Sequence, residues 1–473
     1  MIKNIRISHV GSGVMALAAA IIIFMKPFSA NLNDTAHIML GGFLLTLCIW
    51  VFKPFNLSYS VGAVFLAFYA LVLGLPPGVV FSGFSQSAVW TLIPALFFGY
   101  TLQKTGLGKR IALGIVKLFK PSYGSIVFAW VLIGVVLSIL APSITVRIAI
   151  VIPIALLCCE LYRLEKGSKG SSLILLAAFA MAMIPGMGWM SGSLLGPIIY
   201  GIYSSVPELE GLITFNNWFG VTFVPIVVAT AIVAVGGFIA LKPKEPISKE
   251  AIDAVKAYPM PKMTRQEIMA ALTLGIVFIM FLTSDFHGLP DVAVCLAAVF
   301  AFFLFGVLET KDFNIGVSWD LVIFIGMAIS LGTIFTATGI SDWLSEIVLV
   351  ALTPIVGNPW IFTFGAMAFM FVWRFFDIAI FIPTMVIMAP ILPAIQEAYH
   401  ISPLVWLALF VMPHNAFFVS YQNIWAVMSK SIVGEEWVWS NKELGIYGII
   451  YFVACMISMV PAVPMWIHAG LFG

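Results

Sequence analysis

Leu137-Ser138-Ile139-Leu140-Ala141-Pro142-Ser143-Ile144-Thr145-Val146-Arg147 interrupts an apolar run that extends over residues 123–162. Pro142 removes a backbone donor and Ser143 is a favoured helix-starting residue, so the stretch predicts two helical arms meeting at a tip. Irregular backbone inside a bilayer survives only where protein or water satisfies it, which makes 123–162 a re-entrant hairpin. The freed amides of the returning arm form a positive dipole end suited to an anion, and Ser143 and Thr145 add hydroxyls there. As an N-cap, Ser143 would do structural work without excluding ligand contact. Arg147 follows one helical turn later, and an arginine at membrane depth costs ~2.5–3.5 kcal/mol unless compensated. Either of two roles answers that cost: facing a ligand, or binding backbone carbonyls that hold the hairpin together.

The rest of the chain has the same character. Of its 473 residues 62% are hydrophobic and 9% charged, against roughly 45–50% and about 25% in soluble domains, which excludes a water-soluble surface. The expectation is an all-α polytopic membrane protein of about 11 transmembrane helices plus two re-entrant hairpins. The spans read as 10–26, 36–53, 60–76, 88–118, 172–204, 217–241, 266–283, 289–308, 319–353, 402–430 and 444–470, with hairpins at 123–162 and 359–397. The first span is followed by a second apolar one rather than a small-residue cleavage site, so it is read as retained. With the N-terminus cytoplasmic and the C-terminus outside, 20 of the 23 basic residues fall at cytoplasmic positions, leaving Lys26 as a violation and Arg147 and Arg374 inside the hairpins. The predicted outer loops contain no Lys or Arg, as the positive-inside rule requires of a multi-pass protein in a cell (inner) membrane. The net charge of +2 makes no case for nucleic acid. The five cysteines lie in apolar runs without metal-site spacing and read as packing residues.

The basic, proline-rich stretch 242–265 divides the chain into an N-terminal half (1–241), a cytoplasmic linker and a C-terminal half (266–473). Lys104-Thr105-Gly106-Leu107 before an amphipathic stretch is echoed by Ala337-Thr338-Gly339-Ile340. With the first span set aside, each half holds five spans and one hairpin entering from opposite sides, the inverted-repeat plan of secondary transporters. The second hairpin carries Arg374, Asp377 and Thr384, with Pro383 as its break. Arg374 and Asp377 either neutralise each other or leave Asp377 to exchange a proton or bind a cation. A broken span follows each hairpin. The first reads Ile184-Pro185-Gly186-Met187-Gly188-Trp189-Met190-Ser191-Gly192-Ser193; the second holds His414, Asn415, Gln422 and Asn423 around Pro413. Paired interrupted segments point to a transport site near the midplane. His414 is either proton-linked or a hydrogen-bonded interior imidazole.

Phe97-Phe98-Gly99, Lys104 through Ala112, the hairpin Pro142 through Arg147 ending at Pro153, and Ser191-Gly192-Ser193 together resemble the divalent anion:sodium symporter family of dicarboxylate and citrate-type translocators. Ser143-Ile144-Thr145-Val146-Arg147 stands where the citrate-type branch has Ser-Asn-Thr-Ala-Arg. The resemblance covers most of the chain and implies a homodimer in which an elevator-like transport domain bears both hairpins and both broken spans. Taken with the residue reading above, the expected substrate contacts are Ser143, Thr145, Arg147, Ser191, Ser193, Arg374, Thr384, His414, Asn415, Gln422 and Asn423, and the expected coupling-cation residues are Ser143, Gly186, Gly188 and Asp377. Two departures leave that cation open between sodium and a proton. Ile144 replaces the motif's asparagine, and Ile380-Phe381-Ile382 keeps none of the motif in the second hairpin.

The function expected is therefore secondary active transport of a small anion, with carboxylate, sulfonate and sulfate all suited to an arginine and two helix starts. The alternatives are an intramembrane enzyme, for which no nucleophile or metal motif speaks, and a passive anion channel.

Overall fold

Chains this apolar leave their backbone no water to bond to, and helices satisfy it internally. In the computed structural model the described residues are 2–120, 122–243, 247, 254–255, 257–377 and 381–473, with the side chains of 2–9, 284 and 285 outside the description. Among them the only β feature is a single bridge between Ile401 and Phe472. Eight helices among the described residues are long and apolar enough to cross a bilayer.

The N-terminal half runs α1 (Ile2–Met25), α2 (Asp34–Phe52), α3 (Tyr59–Val72), α4 (Ser87–Thr105), α5 (Leu107–Leu118), α6 (Tyr123–Leu140), α7 (Ile144–Leu161), α8 (Lys169–Met183), α9 (Leu195–Ser204) and α10 (Phe215–Leu241). After the connector come α11 (Arg265–Leu282), α12 (Asp291–Leu304), α13 (Trp319–Thr338), α14 (Ile340–Val356), α15 (Pro359–Trp373), α16 (Ile382–Met388), α17 (Leu392–Tyr399), α18 (Pro403–His414), α19 (Ile424–Val433) and α20 (Asn441–His468). From α4 and from α13 onward the order is the same: a helix, an amphipathic helix, a hairpin, a broken helix and a long final helix. The two final helices, α10 and α20, pack against each other.

Two expected spans are shorter than anticipated. Residues 88–118 and 319–353 break at Gly106 and Gly339, whose φ values of 79° and 76° end α4 and α13 in the left-handed conformation that glycine adopts without strain. Lys26, the charge that violated the threading, is paired with Asp34 at 2.6 Å.

Hairpin one is α6–α7. Tyr123 and Gly134 lie against Gly170 and Met181, so α6 runs parallel to α8. Arg147 at the start of α7 bonds Ala182 at the end of α8, so the second arm runs back. Hairpin two begins with α15, which runs alongside α18: Phe362 packs on Trp406 at 5.4 Å and Arg374 reaches the His414 carbonyl. Its returning arm differs from expectation. Pro383 lies in the first turn of α16, just past the tip, where a missing N–H costs nothing, and the arm is interrupted a second time at the 3-10 turn Ala389–Ile391 around Pro390.

Of the linker 242–265, residues 244–246, 248–253 and 256 lie outside the described residues. Its far end is fastened to α5. The Lys117 ammonium donates to the Tyr258 carbonyl, and Arg110 grips Glu267 (2.8 and 3.1 Å) and the Pro261 carbonyl (2.6 Å).

Candidate functional site

The two breaks form where the sequence denies the helix its donors and side chains supply substitutes. After Ile184 the chain makes the 3-10 turns Pro185–Gly188 and Met190–Gly192. Ser193 Oγ then accepts from the Leu195 N–H at 3.1 Å and starts α9. In the second half the chain leaves α18 at His414, turns at Ser420–Gln422, and restarts where Asn423 Oδ1 accepts from the Trp425 and Ala426 N–H groups, both at 3.1 Å. Asn423 Nδ2 donates to the Asn415 carbonyl at 3.3 Å and approaches Met183 Sδ of the first half at 3.7 Å.

Each hairpin is tied to its break by an arginine. Arg147, fully buried, donates through Nε to the Ala182 carbonyl and through Nη1 to the Ala141 and Gly192 carbonyls, all at 2.7 Å. Arg374 donates through Nη1 to the Asp377 carbonyl and through Nη2 to the carbonyls of Gln422 (2.8 Å) and His414 (3.3 Å). Both guanidiniums thus sew a hairpin tip to the two ends of a helix break. Bonding several carbonyls offsets the cost of burying the charge.

Beside these braces lies a cavity of about 480 Å³. Its wall includes the opening residues of four helices: Ile144 and Thr145 of α7, Leu195 of α9, Ile382 of α16, and Ile424 and Trp425 of α19. Ser193 and His414 complete this side. Thr145 Oγ1 accepts from Trp425 Nε1 at 3.1 Å, joining hairpin one to the second break, and the His414 ring lies 5.6 Å from that of Trp425. The facing wall comes from the α2–α3 turn and the start of α13, with Lys53, Ser58, Tyr59, Ser318 and Asp320. Asp320 Oδ1 accepts from the Ser60 N–H at 2.9 Å. Chemically the cavity offers an anion hydroxyls, aromatic edges, helix starts and one ammonium, with the Asp320 carboxylate as the single acidic group among the described lining residues.

Of the residues singled out from sequence, the structure brings Thr145, Ser193 and His414 to the cavity. Ser143 caps α7 through a long contact with the Val146 N–H (3.4 Å). Ser191 lines a separate small space with Pro142 and Asp291. Asn415, Gln422 and Asn423 are buried behind the cavity as parts of the break, while Asp377 Oδ2 accepts from the Thr384 hydroxyl and N–H. Ile380 falls outside the described residues, and Phe381 holds φ 65° at the start of α16.

For a coupling cation, the carbonyls of Ala141, Ala182 and Gly192 each already accept from Arg147, and that of Gly188 from Thr222 at 3.2 Å. Gly186 answers a packing need, since a Cβ there would lie 2.5 Å from the Gly192 oxygen and 3.1 Å from Arg147 Nη2. Sequence reasoning missed Lys53, Tyr59, Asp320 and Trp425 as cavity residues. A lysine at a span end is explained by topology alone, so nothing marked it as more.

Comparison with known proteins agrees with this architecture. The chain is 24% identical over 382 residues to dicarboxylate transporter 1 of spinach (Spinacia oleracea) chloroplasts, covering 78% of this chain and 66% of that protein. It is 22% identical to the putative malate transporter YflS of Bacillus subtilis (74% of each chain), and 22% identical to the L-tartrate/succinate antiporter of Shigella dysenteriae (58% and 57%). The solved YdaH transporter of Alcanivorax borkumensis shares the fold at a TM-score of 0.56 over 84% of this chain and 89% of that one, at 13% identity. The model of the sodium:sulfate symporter transmembrane region matches residues 8–471. With a multi-pass helical fold, two braced hairpins and a match over nearly its whole length, the chain belongs to the divalent anion:sodium symporter family, a family of transporters and not of enzymes.

Proposed function

We propose that this protein is a secondary active transporter of a small divalent anion, with C4 dicarboxylates as the first substrates to test and sulfate as the inorganic alternative. The observation that carries this reading is the cavity onto which four helices open, because helix starts favour negative charge and Thr145, Ser193 and Trp425 sit among them. The names of the spinach, Bacillus and Shigella relatives support the dicarboxylate class.

The chain crosses the membrane eleven times with two re-entrant hairpins, the N-terminus and linker cytoplasmic and the C-terminus outside. In that orientation the α2–α3 turn and the start of α13 are cytoplasmic, so the cavity they wall is open inward. A cysteine placed at Glu208 should react with an impermeant thiol reagent in intact cells, and one at Lys166 should not. The reverse pattern inverts the threading.

The moving body consists of both hairpins and both broken helices, working within a homodimer by elevator-type motion. Contacts knitting the halves support this: Thr145 with Trp425, Asn423 with Met183, and Tyr203 with the Pro403 carbonyl at 2.9 Å. The coupling ion is sodium or a proton, with Asp377 as the acidic group of hairpin two. A thermal-stability screen of purified protein against succinate, malate, tartrate, sulfonates and sulfate, with and without sodium, tests the substrate class. A binder at 100 times its Kd stabilises by about 2.7 kcal/mol. A flat response to every divalent anion would count against the proposal.

A further inference from the structure

The α2–α3 turn is the cavity's least regular wall. Lys53, Phe55 and Asn56 hold φ values of 45°, 55° and 60°, which places three of the seven positive-φ non-glycine residues among the described ones in a single turn. Side chains rarely adopt that conformation, and it persists where the surroundings over-determine it. Here they do. Trp50 Nε1 donates to the Tyr59 carbonyl at 3.0 Å, Asp320 accepts from the Ser60 N–H, and the Lys53 ammonium lies over the Tyr59 ring, 3.7 Å from its centre.

The pinned turn brings Lys53 to the cavity as the only Lys or Arg among the described residues of its wall. Among the described residues no carboxylate lies within ion-pair distance of it. Asp320 shares the wall and attracts the ammonium from beyond ion-pair distance, while its carboxylate accepts from the Ser60 amide. A cation held on an aromatic face keeps its charge available and loses little freedom when an anion arrives. Neither buried arginine lines the cavity, and each spends most of its donors on carbonyls behind it.

We propose that Lys53 is a specificity-determining residue: its ammonium receives the anionic group of the solute that lies away from the starts of α7, α9 and α19, so the site prefers a divalent anion to a monovalent one of equal length. This rests on the anion-transport reading above and adds to it the group that counts the second charge.

The test is uptake of labelled succinate by proteoliposomes, with butyrate as the monovalent competitor. Lys53→Met should raise the succinate KM about tenfold with kcat within about twofold and leave butyrate inhibition unchanged, while Lys53→Arg stays within about threefold of wild type. Should the Met variant fail to fold, Lys53→Cys in a background lacking the five native cysteines replaces it. An ethylammonium thiosulfonate should then restore the low KM and an ethylsulfonate reagent should not. An unchanged succinate KM, or equal losses for succinate and butyrate, overturns the role of Lys53 while anion transport stands. Wild-type protein without saturable uptake of succinate or sulfate overturns both.

Discussion

In hairpin one the arginine stands on the returning arm, four residues after Ser143; in hairpin two it stands at the end of the entering arm, three residues before Asp377. Both nonetheless hold carbonyls of the tip and of the following helix break. The tips themselves differ more. Hairpin one turns within Ala141–Ser143 and returns as one continuous helix, whereas in hairpin two α15 ends at Trp373, α16 begins at Ile382, and the returning arm breaks again at Ala389–Ile391. Polarity divides in the same way. Tip one presents the Thr145 hydroxyl to the cavity, while tip two presents Ile382 there and keeps its carboxylate bonded to Thr384. Bracing a broken helix is thus a demand of the fold that either arm can meet, and of the two tips hairpin one gives the cavity its hydroxyl.

The largest effect expected is on the braces. Arg147→Met or Arg374→Met strands three buried carbonyls, at about 1–3 kcal/mol each, and should remove most folded protein from a size-exclusion profile. Arg147→Lys should fold with a lower melting temperature and an anion KM within about twofold of wild type. A Lys variant of normal stability with a tenfold weaker KM would place the guanidinium on the solute and break the comparison.

Next in size is Asp377→Asn, which retains an acceptor for Thr384 but no titratable proton. If hairpin two carries the coupling, uptake driven by an inward pH gradient should vanish while exchange of labelled for unlabelled anion survives. Gradient-driven accumulation in that variant removes Asp377 from the mechanism.

A smaller contrast separates the tips directly. Thr145→Val deletes both the cavity hydroxyl and the acceptor of Trp425, and should raise the anion KM about fivefold. Ile382→Val should change it by less than about twofold. Equal effects would mean that the tips share the solute evenly.

The smallest prediction lies outside both hairpins, where the turn before α13 meets α4. Burial pushes the Asp312 carboxyl up, but the Lys104 ammonium, the Glu309 N–H and the Tyr100 hydroxyl outweigh it and hold the group below the usual carboxylate range. A depressed folded-state pKa stabilises above the unfolded value and is lost as pH falls through the folded one. Asp312→Asn should therefore lower the melting temperature by about 2–4 °C at pH 7, and the gap should close below about pH 4.

Much of this was legible in the sequence for local reasons. Pro142 with Ser143 marked tip one, because a missing donor beside a capping hydroxyl has few other uses. The glycine echo at Gly106 and Gly339 marked related helix ends. Pro383 marked the start of the returning arm, but the second break at Pro390 went unread because proline starts helices as readily as it breaks them. The partners of Arg147 and Arg374 were beyond reach for a deeper reason: backbone carbonyls have no sequence signature. Lys53 and Asp320 were hidden by topology, since charges at span ends need no further explanation until the fold brings them to one cavity.

The most direct test is uptake of labelled succinate and sulfate into proteoliposomes of the wild-type protein under imposed sodium or proton gradients. The expected result is saturable accumulation of the unchanged anion above its external concentration, collapsing when the gradient is dissipated. Equilibration without accumulation under either gradient would mean a passive pathway and would contradict secondary active transport.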